Sequence, residues 1–188
     1  MKLELRYDIQ GSAARFWEVF FDPEVTRRLH LEALGSTSVE IQEQTGDLTN
    51  GLQRTMRYGQ RPDAPGPVKR LFGAEVVTTE SGTFDPETGV WSFTLTPAIL
   101  GEKTDIRGSI EIQETEGTKS PEPVHDAAPA TPPLRVPGAT RWEEIFRLEA
   151  KVKIFGAGPV VERFIEKQAR DTQSRAAAFF NGLLERGE

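Results

Sequence analysis

The sequence has no cysteine. That excludes disulfides, thiolate metal sites, cysteine nucleophiles and iron–sulfur clusters. Histidine is scarce too. His30 and His125 are the only two, and they stand far apart in the chain. No zinc-type spacing of imidazole ligands exists, so no metal or other cofactor is expected. Positive charge is not in excess either. The 23 Lys and Arg against 29 Asp and Glu leave a net charge of −6, without the basic footprint of a nucleic-acid binder. No apolar run approaches the ~18 residues of a membrane span. The opening Met1-Lys2-Leu3-Glu4-Leu5-Arg6 alternates apolar and charged residues, where a signal peptide needs an unbroken apolar stretch. These absences lead to the expectation of a soluble, cytoplasmic protein. The 188 residues suit one domain spanning 1–188, able to bury roughly 70% of its unfolded surface.

What is present is patterning. Leu3, Leu5, Tyr7 and Ile9 alternate with Lys2, Glu4, Arg6 and Asp8, which predicts a half-buried strand. Ser12 can cap a helix that places Phe16, Trp17, Phe20 and Phe21 on one side. Asp22-Pro23 restarts the chain as N-cap and first helical position. The second helix carries Val25, Leu29 and Ala33 inward and ends near Gly35. Period two then takes over for about a hundred residues. Strands are expected around Val39–Ile41, Leu52–Tyr58, 74–84, Trp91–Leu95, Ile106–Ile112 and Trp142–Ile154. Val68–Phe72 fits a helical turn. Residues 116–138 hold six prolines and no periodicity, so they read as a flexible insertion between the last two strands. Gly156-Ala157-Gly158-Pro159 is a tight turn into a final helix of about 25 residues, whose stripe is Val161, Phe164, Ile165, Ala169, Ala176, Phe179 and Leu183.

Runs of strands followed by one helix indicate α+β. The expected architecture is a curved antiparallel sheet of six or seven strands wrapped around the long C-terminal helix, with two short helices after the first strand. Four segments carry a resemblance. They are the opening strand Leu3–Ile9, the helix break in Phe16-Trp17-Glu18-Val19-Phe20-Phe21-Asp22-Pro23, the turn Gly82-Thr83-Phe84-Asp85-Pro86, and Phe155-Gly156-Ala157-Gly158-Pro159. With the element order, they make the chain resemble the helix-grip fold of the START-like (SRPBCC) superfamily. That superfamily includes lipid-transfer domains, plant pollen-allergen proteins and polyketide cyclases. More closely, the chain is similar to an uncharacterised bacterial branch of it. The resemblance implies a cavity between sheet and helix that holds an apolar ligand.

Several polar residues fall on apolar faces. With Val161 at zero and about 100° per residue, the helix stripe centres near 20°. Gln168, Thr172 and Arg175 lie at about 340°, 20° and 320° and interrupt it. Either they meet a ligand's polar group, or Arg175 reaches the helix edge and Thr172 bonds back to its own backbone. Arg54 stands between Leu52 and Met56, and Glu144 between Trp142 and Phe146. A buried charge is costly unless paired. One reading has both point into the cavity and pair, directly or through water. The other puts each at a strand end, a sheet edge or a bulge. His30 falls off the Val25–Leu29–Ala33 line and reads as a surface or boundary residue, with a role at the cavity mouth as the alternative.

The first functional reading is a carrier or sensor of a small hydrophobic molecule, a lipid or polyketide-like compound. Its apolar body would lie against Tyr58, Trp91, Phe93, Phe146, Phe164 and Phe179, and its polar group would meet Arg54, Glu144, Gln168, Thr172 or Arg175. Helices one and two and Val68–Phe72 would frame the entrance. The alternative is a cyclase- or hydrolase-like enzyme with Glu144 as acid or base in the same cavity; no second carboxylate with a defined partner and no Ser–His pair is evident. A third reading is a protein-interaction module with a filled core that acts through its surface and the insertion.

Overall fold

In the computed structural model, the structure describes residues 1–61, 64, 66–99, 101–115 and 141–187. The insertion 116–138, His125 included, lies outside them. Strand β1 (Lys2–Ile9) leads into helix α1 (Ala13–Phe21), capped by Ser12, whose hydroxyl accepts from the Arg15 N–H at 3.3 Å. Helix α2 (Pro23–Arg28) starts as the sequence predicts. The Asp22 carboxylate accepts from the Glu24 and Val25 N–H groups at 2.8 and 2.9 Å, with Pro23 in the first turn. The helix then widens into a single π turn over Leu29–Ala33, closed by Leu34 N–H to the Leu29 carbonyl at 2.9 Å. Such turns add a residue to the helix and rotate the side chains beyond it.

Six further strands complete the sheet: β2 (Ser38–Asp47), β3 (Gly51–Gln60), β4 (Val76–Asp85), β5 (Val90–Pro97), β6 (Thr104–Thr115) and β7 (Arg141–Val152). With β1 they make one seven-stranded antiparallel sheet in the order β1-β7-β6-β5-β4-β3-β2. Helix α3 (Gly66–Phe72) sits between β3 and β4. The long helix α4 (Gly158–Arg186) crosses the inner face. Gly156, at φ +73°, makes the turn into it, a conformation open to Gly at little cost. This is the expected α+β helix-grip architecture.

The core is split in two. The larger cluster joins α1, the C-terminal half of α4 and the sheet, and includes Phe16, Trp17, Phe20, Phe21, Phe84, Trp91 and Phe180. A smaller one gathers Ala64, Val68 and Val161 at the start of α4. Ile165 packs against both. Helix α4 buries Val161 near its start and Gln173, Ala176, Ala177, Phe180 and Leu183 further on. Its buried face therefore turns by roughly 60° from the stripe read off the sequence.

Candidate functional site

The strand pleat decides what faces the gap between the two clusters. In-register pairing puts Arg54, Gly82, Phe93, Gly108 and Leu148 in one row across the inner face, and Met56, Glu80, Leu95, Ile106 and Ala150 in the next. Two of these positions are glycines because rings occupy their side-chain space. A Cβ at Gly82 would overlap the Trp91 ring, and one at Gly108 the Phe93 ring. Between this face and α4 lies a cavity of about 230 Å³.

One end of the cavity is sealed. Phe16, Phe20, Phe21, Phe84, Trp17, Trp91 and Phe180 interlock with ring centroids 4.8–6.2 Å apart. The partly exposed lining residues Gln60, Val76, Thr104, Phe164, Gln168 and Thr172 mark the open side. The exposed wall is mostly apolar, as in small-molecule pockets, with polar side chains such as Arg54, Glu80, Glu144 and Gln173 set into it. The first two helices line the cavity through Phe20, Thr26 and Leu29, and the expectation for the entrance fails only for Val68. Val68 of α3 packs into the smaller cluster and does not line the cavity, while Leu29, His30 and Leu34 at the π turn do.

Residues 4–184 match the family described as "Protein of unknown function (DUF2505)". The chain belongs to that family. No curated protein matches it. Among solved structures it is similar to the Zhui aromatase/cyclase from Streptomyces sp. R1128, at 14% identity and TM-score 0.60, over 99% of this chain and 94% of that one. Norcoclaurine synthase from Thalictrum flavum gives 16% and 0.57, over 98% and 86%. A START superfamily protein from Mycobacterium smegmatis gives 14% and 0.56, over 100% and 99%. At such identities the likeness is one of fold, and it confirms that this DUF2505 chain has the START-like fold.

In this DUF2505 chain Arg54 and Glu144 are both buried, at 3% and 1% exposure, so neither sits at an edge. They do not make the direct pair that the sequence allowed. Arg54 Nη1 donates to the Phe20 carbonyl at 3.0 Å and to Thr26 Oγ1 at 3.2 Å. Its guanidinium carbon lies 4.8 Å from the Phe20 ring centre, 5.1 Å from Phe21 and 5.4 Å from Trp91. Arg54 therefore ties β3 to the α1–α2 corner, and its charge rests on aromatic faces. Its carboxylate neighbour is Glu80. Burial pushes the Glu80 carboxyl up, while the Arg54 guanidinium and the Trp91 indole N–H oppose that rise. The indole N–H is within electrostatic reach of Glu80 but outside hydrogen-bond geometry, and no acceptor satisfies it.

Glu144 instead accepts a hydrogen bond from the Gln173 amide of α4. Burial pushes its carboxyl up to about 8, partly offset by that bond. Its second oxygen has no partner. His30 is a further correction. It is 5% exposed, stacks on Tyr58 at 4.7 Å and pairs Nδ1 with the Ser36 hydroxyl at 3.2 Å. Burial, helped by the Arg54 charge, pulls it down to about 4, so it is neutral. The Ser–His pair absent from the sequence reading thus exists, but Ser36 is not among the residues lining the cavity.

Tyr58, Trp91, Phe93, Phe146, Phe164, Gln168 and Thr172 line the cavity along with Arg54 and Glu144. Arg175 and Phe179 do not. Arg175 is exposed, holds Asp171 at 2.5 Å and reaches the Ala33 and Leu34 carbonyls at 3.4 Å. Phe179 packs outside the cavity, 6.0 Å from the Arg28 guanidinium, and its neighbour Phe180 takes the inward place. The residues missed were Glu80, Gln173 and Phe180, while His30 lines the cavity as its alternative reading allowed. Glu80 had a signal: it shares the inward phase of Thr78, Gly82 and Phe84. Gln173 lies four residues after Ala169 and would have emerged from a wider stripe. Among the described residues no three His, Asp or Glu stand together as a metal site would need.

Proposed function

We propose that this protein carries or senses a small, mainly apolar molecule held between the sheet and α4. The observation behind this is the cavity of about 230 Å³ left open between two packed clusters. A close-packed interior of this size has no physical need for such a void, because void lining forfeits dispersion contacts. The ligand's apolar body would rest on Trp91, Phe93, Phe146 and Leu148. Its polar group would meet Gln168 and Thr172 at the open side or Glu80 in the wall. The test is uptake of the neutral dye Nile red. Phe164→Trp at the mouth and Phe146→Trp in the wall each fill the space and abolish uptake while the fold survives. Uptake unchanged in both variants contradicts the reading.

Glu144 favours a second reading. A cavity carboxyl held near 8 keeps a proton at neutral pH and can donate it. The chain would then be an enzyme acting on the molecule it binds, and Glu144→Gln would bind as the wild type does and turn nothing over.

A further inference from the structure

The turn Phe155-Gly156-Ala157-Gly158-Pro159 holds an aromatic side chain away from the protein. The Ile154 carbonyl closes the turn, accepting from the Ala157 and Gly158 N–H groups at 3.3 and 3.0 Å. Ile154 packs inward against the Ala64–Val68–Val161 cluster, and Phe155 beside it is fully exposed. Val160 in the first turn of α4 and Ile99 beyond the end of β5 are exposed as well. All three belong to one end of the molecule. β5 ends at Pro97 and β6 begins at Thr104, which pairs with Val152 just before the turn. Across the same end the Lys153 N–H donates to the Lys103 carbonyl at 2.8 Å. Apolar side chains scattered singly over a surface are ordinary. Several at one end, one of them an unshielded aromatic ring, mark a surface that meets an apolar partner.

The charge at this end runs against that of the chain. Residues 66–74, 101–103 and 151–161 hold five Lys and Arg and one Glu, in a chain of net charge −6. Lys69, Arg70, Lys103, Lys151 and Lys153 are all exposed. The carboxylates that border these segments are engaged: Glu162 by the Met1 ammonium at 3.1 Å, Asp105 by Arg107 at 2.8 Å, Glu149 by Lys2 at 3.9 Å, and Glu75 by the Thr37 hydroxyl. The cavity opens here too. Gln60, Val76 and Thr104 of its open side stand at the ends of β3, β4 and β6 that meet here, and Phe164 follows Val160 by one helical turn. A protein partner would need a broad, complementary contact. Separate protruding apolar residues among long basic side chains fit a fluid surface instead. Each apolar group enters the acyl boundary by itself, while the cations stay at the headgroups. We propose that this end docks on an anionic lipid bilayer, with Phe155, Val160 and Ile99 inserted, and sets the cavity mouth against the membrane. Docking needs no molecule in the cavity, so it stands or falls separately from the ligand-binding reading.

The test is flotation of the wild-type protein with two kinds of vesicle at about 0.1 M salt. One is phosphatidylcholine alone; in the other about a third of the lipid is phosphatidylglycerol. The protein should float with the anionic vesicles. Its affinity should fall about tenfold or more on phosphatidylcholine alone, and likewise at about 1 M salt, where surface charge is screened within ~3 Å. Phe155→Ser should weaken binding to the anionic vesicles about tenfold or more. Phe155 is fully exposed, so this variant should melt as the wild type does. The double variant Lys103→Glu and Lys153→Glu should weaken binding at least as much, through charge alone. A wild-type protein that floats with neither vesicle overturns the proposal. Equal binding to both kinds of vesicle, unmoved by salt, overturns the choice of an anionic surface. Binding unchanged in Phe155→Ser and in the double variant overturns the assignment to this end of the molecule.

Discussion

Glu144 and His30 are buried in the same wall, and burial drives them in opposite directions. The Glu144 carboxyl sits near 8 against an ordinary 4.5. Between those values the folded protein holds a proton that the unfolded chain releases. Glu144 thus costs stability progressively as pH rises from about 4.5 to about 8. His30 sits near 4 against an ordinary 6.5. Between those values the unfolded chain takes up a proton first, so stability is lost as pH falls from about 6.5 to about 4. Thermal melting of Glu144→Gln beside the wild type checks the first of these. The variant should gain on the wild type as pH rises and level off above about pH 8. Melting temperatures that stay parallel across the range contradict the protonated Glu144. Residue chemistry of this kind was only half legible. The sequence marked Glu144 and Arg54 as charges on apolar faces. It could not show that each would find a partner elsewhere, Glu144 on Gln173 and Arg54 at the α1–α2 corner, because those partners are set by packing between distant elements.

At the scale of elements, local signals held where local chemistry decides. The period-two alternation of β1, the Ser12 and Asp22 caps and the Gly156 turn all formed as read. Two elements departed from their pattern. The π turn at Leu29–Ala33 buries both Leu29 and His30, where the Val25–Leu29–Ala33 line placed only Leu29 inward. Helix α4 changes partners along its length, from β7 and α3 to β1 and α1, so its buried face drifts and brings in Gln173 and Phe180 rather than Arg175 and Phe179. The glycines of β4 and β6 carry a prediction. Gly82→Ala forces a Cβ into the Trp91 ring and should destabilise the protein by roughly 1–3 kcal/mol. Gly182→Ala, on α4 with only the flexible end of Arg186 nearby, should stabilise it by up to about 1 kcal/mol. Chemical denaturation of both variants checks this. Equal effects of the same sign would contradict the packing described.

At the scale of the molecule, the fold was legible because the order of elements constrains it: one strand, two short helices, a run of antiparallel strands and a long helix leave few ways to bury their faces. The family match over residues 4–184 and the structural likenesses agree with it. The cavity itself was not legible as geometry. Periodicity tells which side chains point inward, but not whether those from the sheet reach those from the helix. Here the Phe-rich plug at one end and the Ala64–Val68–Val161 cluster at the other pack fully, and the space between them does not. The central claim is that this space holds an apolar molecule. Native mass spectrometry of freshly purified protein, followed by organic extraction, tests it most directly. The account predicts either a discrete apolar compound in stoichiometric amount or an empty protein that takes up one equivalent of Nile red. A protein that carries nothing and takes up no dye would contradict it.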